Sequence, residues 1–430
     1  VTDGLVLILD ANLIPSYPRS GTSWKDLSGE SNNGVLTNSP TFNSNGWIEF
    51  DGTDDEVIIP DDSTLDLTTD MSFEFVVKVD STQNNLYPRL IDKSIWLIHL
   101  SQTSPFSIAQ NITTSAGLRQ TSIGSSLFVA NKWTHIVSNY DGQYGKIYVN
   151  GELVKTSNFG SVLACNTNNT VVTVGGNTGT TRQLNGDMAL VRVYDEVLTQ
   201  TEVNQNYYQA PIVTDGLVFA ADAGNLVSYE NGSVTSYSLT GSNNGTLTNG
   251  VGFESNNGGT WTFDGVDDRI VTQASSVLGT FSDWSMDAWI KYETSGYSGW
   301  MIVVDQTTYA QYQKNIMVWL SSDATNKKIA MYDGSWQYSA STIPVSTWTH
   351  ISATTEGNTA KMYINGKLDV TRTFNWSNTS NVTNYMGIGG HGDNPSYRFN
   401  GNISTVKVYD KVLTAAEVSQ NYNANINKFN

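Results

Sequence analysis

The seventeen residues VRVYDEVLTQTEVNQNY, Val191 to Tyr207, return as VKVYDKVLTAAEVSQNY from Val406 to Tyr422. Twelve positions are identical, at an offset of 215 in a chain of 430 residues. The duplication runs through both halves in one order. VTDGLV stands at Val1 and Val213, SNNGVLTN at Ser31 answers SNNGTLTN at Ser242, and IEFDGTDDEV at Ile48 answers WTFDGVDDRI at Trp261. WTHIVSNYDGQYGKIYVNG at Trp133 answers WTHISATTEGNTAKMYING at Trp348, and VVTVGG at Val171 answers YMGIGG at Tyr385. Two copies of one module of about 200 residues explain this; a solenoid of 20- to 50-residue repeats does not. The boundary is expected at Ala210–Pro211, giving domains 1–210 and 211–430.

Each copy reads as strands closed by one helix. In LVRVYD, Leu190, Arg192 and Tyr194 fall on one face and Val191 and Val193 on the other. A helix start follows. Thr199 with Glu202 three residues on forms a capping box, and Leu198 with Val203 forms a hydrophobic staple. Leu413, Thr414, Glu417 and Val418 repeat the device. Elsewhere the signals are β: MSFEFVVKV and WSMDAWIKY alternate, and Asn150-Gly151 and Asn365-Gly366 each separate two strand-like runs, as a type I′ hairpin demands. WIEFDGTDDEVIIP reads as two strands joined by an Asp-Gly hairpin turn. The fold class expected is all-β, two tandem jelly-roll sandwiches, each ending in a short capped helix.

Composition narrows the partners. The net charge of −17 repels phosphate backbones, which argues against nucleic acid. The 21 Tyr, 14 Phe and 12 Trp supply enough apolar surface for two cores. The single cysteine, Cys165, forms no intrachain disulfide and reads as a small buried apolar residue. No run approaches the roughly 20 apolar residues of a membrane helix, so membrane insertion is not expected. The sequence opens on Val1 and carries no recognisable signal peptide, as a processed product or part of a longer chain would.

The ordered motif set, present twice, resembles the laminin G-like branch of the concanavalin A-like lectin/glucanase superfamily, whose fold is a jelly roll of two antiparallel sheets. SYPRSGTSWKDLSGESNNGVLTNSPTFNSNG and the ending LTAAEVSQNYNA are similar to modules of tailed-phage virion structural proteins. The resemblance implies a non-catalytic decoration or fibre protein on a virion or other extracellular surface. Its partners would be surface glycans and other virion subunits such as capsid or fibre proteins. The alternatives are a purely structural cement protein, a secreted bacterial adhesion module and, least favoured, a polysaccharide hydrolase.

Candidate residues follow from chemistry. Related glucanases carry paired acids at alternate positions of one strand, which share a face. Here Glu74 and its counterpart Asp287 are alone on their strands, and His135 and His350, each in WTHI, read as structural, so no catalytic residue is assigned. Asp51, Asp54 and Asp55, and again Asp264, Asp267 and Asp268, gather oxygens that suit Ca2+, although their spacing also suits a turn. Many relatives add an acid in the final strand where this chain has Ala189 and Leu190, then Ser404 and Thr405, which weakens the calcium reading. Glycan binding would use flat aromatic faces, and Trp300, Trp336, Tyr338 and Trp96 are the candidates outside the repeated core.

Overall fold

The computed structural model describes the chain except residues 180–181, 273–282, 295–298, 307–315, 324–325, 375–384, 392–396 and 430, and the side chains of 125–127. It divides into two compact units, Val1–Tyr207 (domain 1) and Tyr208–Asn430 (domain 2). Among the described residues each is a sandwich of two eight-stranded sheets whose ladders are antiparallel.

In domain 1 the first sheet is centred on Asp70–Val79, flanked by Thr134–Asp141 and Asn185–Tyr194. The second sheet runs Gly117–Phe128, Phe106–Thr114, Trp96–Leu100, Arg89–Asp92, Val172–Val174, Glu56–Ile59, Gly34–Thr37, Ser23–Trp24. Domain 2 repeats this order, with Trp284–Tyr292 at the centre of its first sheet and Met301–Asp305, Met317–Leu320, Ile329–Tyr332 and Trp336–Tyr338 as neighbours at one end of its second. Alternation fills the space between the sheets. Phe73, Phe75, Val77, Val191 and Val193 meet Ile91, Trp96, Ile98 and Ile108 in domain 1. Met286, Ala288, Ile290, Val406 and Val408 meet Met301, Val303, Val318 and Leu320 in domain 2. At about 25 cal/mol per Å² of apolar surface, such burial is the main favourable term.

The two hairpins form as the sequence requires. Val149 pairs with Glu152 across Asn150 and Gly151, whose φ angles are +50° and +83°. Ile364 pairs with Lys367 across Asn365 and Gly366, at +51° and +74°. Helices α1 (Gln200–Tyr207) and α2 (Ala415–Asn425) close the domains. Thr414 Oγ1 accepts from the Glu417 amide and Glu417 reaches back to the Thr414 amide at 2.8 Å. Glu202 does the same for Thr199 at 2.7 Å. The staple residues pack as expected, Leu198 with Val203 and Leu413 with Val418.

The Asp-Gly hairpin is corrected. Trp47–Asp51 lies in the first sheet and Glu56–Ile59 in the second, so FDGTDD arches between layers. FDGVDD does the same between Thr260–Asp264 and Arg269–Thr272. The arch is held by its own carboxylates: Asp51 Oδ1 accepts from the Thr53 amide at 2.7 Å and Asp55 Oδ2 from the Asp51 amide at 3.0 Å. The geometry is that of an Asx turn rather than a ladder-closing turn.

Candidate functional site

The repeated acid, histidine and helix lie together on the outer face of the first sheet. Glu74 is fully buried beneath α1 and accepts from His135 Nε2, Arg192 Nη1 and Tyr194 Oη at 3.0 Å each, and from Asn206 Nδ2 at 2.7 Å. Burial by itself would raise its pKa, but Arg192, then His135 and Tyr194, outweigh it and hold the carboxyl at about 2. Domain 2 keeps the plan with a shorter acid and a lysine: Asp287 takes His350 Nε2 at 2.7 Å and Lys407 Nζ at 3.0 Å. Ser72 Oγ donates to the Glu196 carbonyl and accepts from the Leu198 amide, and Ser285 does likewise with Lys411 and Leu413. Buried carboxylates that take several hydrogen bonds from strand and helix side chains fasten helix to sheet. The sequence named Glu74, Asp287, His135 and His350 singly. Their pairing follows from strand register, which sets Glu74 and His135 diagonally across one ladder.

The acidic arches are compact. One carboxylate oxygen from each of Asp51, Asp54 and Asp55 lies within 4.8 Å of the others, and the same holds for Asp264, Asp267 and Asp268. Burial, reinforced by the neighbouring aspartates, pushes Asp55 and Asp268 up to about 6. Asp268 is 3% exposed and its Oδ1 is buried without a hydrogen-bond partner. Carboxylate oxygens are ligands of the kind calcium takes, and each arch supplies three of the six to eight such an ion needs. Next to the cluster domain 1 has Glu56 and domain 2 Arg269, so the first arch is the more acidic.

The glycan candidates separate. Trp96 is fully buried between the sheets, 4.9 Å from Phe73, and offers no face to a ligand. In IWLIHL, Trp96, Ile98 and Leu100 alternate inward; the pattern gave two faces but not which was inside. Trp300, Trp336 and Tyr338 instead gather on the outer face of the second sheet of domain 2. Trp300 stacks on Trp336 at 4.1 Å and 24°, and lies 6.2 Å and 25° from Tyr338. All three are half-buried. Trp319, Tyr332 and Tyr397, which the sequence reading passed over, complete the group. Trp319 is 5.3 Å from Trp336 and 5.0 Å from Tyr397, and Tyr332 is 5.1 Å from Trp336. The period of two in MVWL, beside WQY, was the signal that Trp319 shares a face with its neighbours.

Several contacts fix this cluster. A bulge between Ile302 and Val304 turns Asp305 to the outer face, opposite Met317. There Asp305, itself fully buried, accepts from Trp319 Nε1 at 2.6 Å, with His391 Nε2 at 3.7 Å. Lys327 is buried and donates to the carbonyls of Gly299 at 2.6 Å and Ser321 at 2.9 Å, tying the segment before Trp300 to the sheet. Burial lowers this lysine to about 8. Arg372 Nε donates to the Tyr338 carbonyl at 3.0 Å and pins the edge strand. The result is a broad, partly exposed aromatic surface with its polar groups at the base.

A laminin G-type family model, described as the concanavalin A-like lectin/glucanases superfamily, matches residues 51–204 and 263–419, about seven-tenths of the chain. The chain belongs to that superfamily. Both matched spans begin at or next to the aspartate of the acidic arch and end within the closing helix. No curated protein sequence matches this superfamily member. Among solved structures, domain 4 of AbnA, a GH43 extracellular arabinanase from Geobacillus stearothermophilus in complex with arabinotriose, is 19% identical. That match covers 48% of this chain and 98% of that one, at a TM-score of 0.37. The binding domain of botulinum neurotoxin serotype D is 12% identical over 99% of this chain and 96% of that one, at 0.41. The CBM40 of the Ruminococcus gnavus IT-sialidase, bound to α2,3-sialyllactose, is 15% identical over 33% of this chain and 82% of that one, at 0.28. Family membership rests on the family-model match alone.

Proposed function

We propose that this protein is a non-catalytic glycan-binding protein whose second domain seats a neutral sugar on the Trp300–Trp336–Tyr338 surface. The observation that carries the reading is the outward aromatic cluster, fixed by Asp305 and Lys327 on a rigid sheet rather than buried in the core. Flat rings held at fixed spacing stack on the apolar faces of pyranoses, and exposed edges of the same sheet supply hydrogen bonds. The absence of a catalytic role is part of the proposal. It is supported by the fate of Glu74 and Asp287, both consumed in structural ion clusters.

Calcium is the proposed cofactor. Asp51, Asp54 and Asp55, and Asp264, Asp267 and Asp268, would hold it and so stiffen the arches between the sheets. The proposed setting is a virion surface or another extracellular surface, with capsid or fibre subunits as protein partners. What supports the setting is the similarity of the motif wording to tailed-phage modules.

The test is retention on a panel of neutral polysaccharides by affinity electrophoresis, comparing the parent with Trp336→Ala and Tyr338→Ala. Loss of about tenfold or more in affinity for Trp336→Ala is expected of a central aromatic anchor. Binding unchanged in both variants removes the site. Tight association with a capsid or fibre subunit, with no polysaccharide retained, would make the chain a structural cement instead.

A further inference from the structure

The strand register equates the outer face of the second sheet in the two domains position by position. Arg89 pairs with His99 where Ile302 pairs with Trp319, and Asp92 pairs with Leu97 where Asp305 pairs with Met317. Asn177 and His391 each follow the paired glycines and reach these aspartates, Asn177 Nδ2 at 2.7 Å and His391 Nε2 at 3.7 Å. Arg182 and Tyr397 each stand three residues before the final strand. The scaffold of bulge, buried aspartate and glycine-pair neighbour is therefore common to both faces. What differs is the surface upon it: Ile302, Trp319 and Tyr397 in domain 2 become Arg89, His99 and Arg182 in domain 1.

We propose that this face of domain 1 binds an acidic saccharide, with the sugar's carboxylate or sulfate on Arg89 and Arg182 and its ring against Tyr87. The inference rests on the reading that this sheet face is the recognition face. Tyr87 is 50% exposed, its ring 5.2 Å from His99, and the Arg182 guanidinium sits 5.5 Å from its centroid. Arg89 gives Nε to Asp92 Oδ2 at 2.8 Å and Nη1 to the Tyr87 carbonyl at 2.8 Å. Among the described residues its Nη2 has no hydrogen-bond partner. Arg182 Nη1 donates to the Leu86 carbonyl, which holds the loop that carries Tyr87. Asp92 pairs with Arg89 and Glu56 lies beside Gly176 on the same sheet, so the positive charge of the face is concentrated at Arg182, on a chain whose total is −17. Burial, with Arg89 and Arg182 adding to it, lowers His99 to about 4, so the imidazole is neutral at physiological pH and the guanidiniums supply the charge. Planar guanidiniums suit carboxylate and sulfate by paired hydrogen bonds. The Arg182–Tyr87 contact sets a guanidinium beside a half-exposed ring, so one sugar could meet a charge and a flat apolar surface together.

Titration calorimetry on the full chain tests this with four polymers: polygalacturonate, its fully methyl-esterified form, dextran sulfate and dextran. Polygalacturonate or dextran sulfate should bind at least about tenfold more tightly than its uncharged counterpart, and which of the two does so identifies the acid. Arg182→Ala should weaken that binding about tenfold to a hundredfold, Arg182→Lys should weaken it less, and Trp336→Ala should leave it unchanged. Equal affinity of charged and uncharged polymers, or a parent-like Arg182→Ala, overturns the proposal. Loss on Trp336→Ala with no change on Arg182→Ala would also overturn it, by moving the acidic ligand to domain 2. The domain 1 inference therefore fails on different variants and ligands from the neutral-sugar reading.

Discussion

Replacing Arg192 by Ala removes the cation nearest Glu74 and leaves a fully buried carboxylate with His135, Tyr194 and Asn206. Breaking one side of a buried ion pair costs roughly 3–5 kcal/mol, because the remaining charge stays out of water. For a domain of this size each kcal/mol moves Tm by about 2–4 °C, so the domain 1 transition should fall by roughly 6–20 °C in differential scanning calorimetry. Lys407→Ala should lower the domain 2 transition in the same way, which assigns the two transitions. The acid limb gives a second readout. Glu74 is held near 2 in the folded state against 4.5 for the free group. A depressed acid adds stability above its unfolded pKa, and that stability is lost as pH falls from about 4.5 through about 2. The shift corresponds to roughly 3 kcal/mol, so parent domain 1 should weaken steeply over that interval and Arg192→Ala much less. Pairing Arg192→Ala with Glu74→Gln should recover part of the loss, since no bare charge then remains. An Arg192→Ala domain 1 that melts within about 2 °C of the parent, with the same acid limb, would refute the assignment of this cluster as a structural fastening.

Three other outcomes follow from the geometry. Calcium should raise the melting temperature at pH 7.5, with the effect fading as pH drops through about 6, where Asp55 and Asp268 take up protons; calorimetry with Ca2+ or chelator checks it, and Asp55→Asn with Asp268→Asn should abolish it. Thr414→Ala removes a cap bond to the Glu417 amide and should cost domain 2 about 1 kcal/mol by urea unfolding. Gly389 sits at φ +74° with Phe263 where a Cβ would go, so Gly389→Ala should destabilise domain 2 by roughly 1–3 kcal/mol, as should Gly175→Ala against Phe50 in domain 1.

What the sequence disclosed divides by range. The caps at Thr199 and Thr414 and the turns at Asn150-Gly151 and Asn365-Gly366 were legible because each is decided within a few residues. FDGTDD was misread as a hairpin because the sheet that Glu56–Ile59 joins is set by Val172–Val174 and Gly34–Thr37, far away in sequence. Alternation in IWLIHL could not say whether Trp96 or His99 faced in; pairing with Arg89–Asp92 and Phe106–Thr114 decides that. Trp336 and Tyr338 stood out as departures between the copies. Trp319 did not, because its counterpart is His99, an equivalence visible only once the two bulged ladders are superposed.

The claim that ties these parts together is that the shared residues hold two sandwiches in shape while recognition occupies the outer face of each second sheet. Hydrogen exchange on the full chain, with and without a retained neutral polysaccharide, tests it most directly. Slowed exchange is predicted over Met317–Leu320, Ile329–Tyr332 and Trp336–Tyr338. Protection confined to the arches at Asp51–Asp55 and Asp264–Asp268, with those strands unchanged, would contradict it.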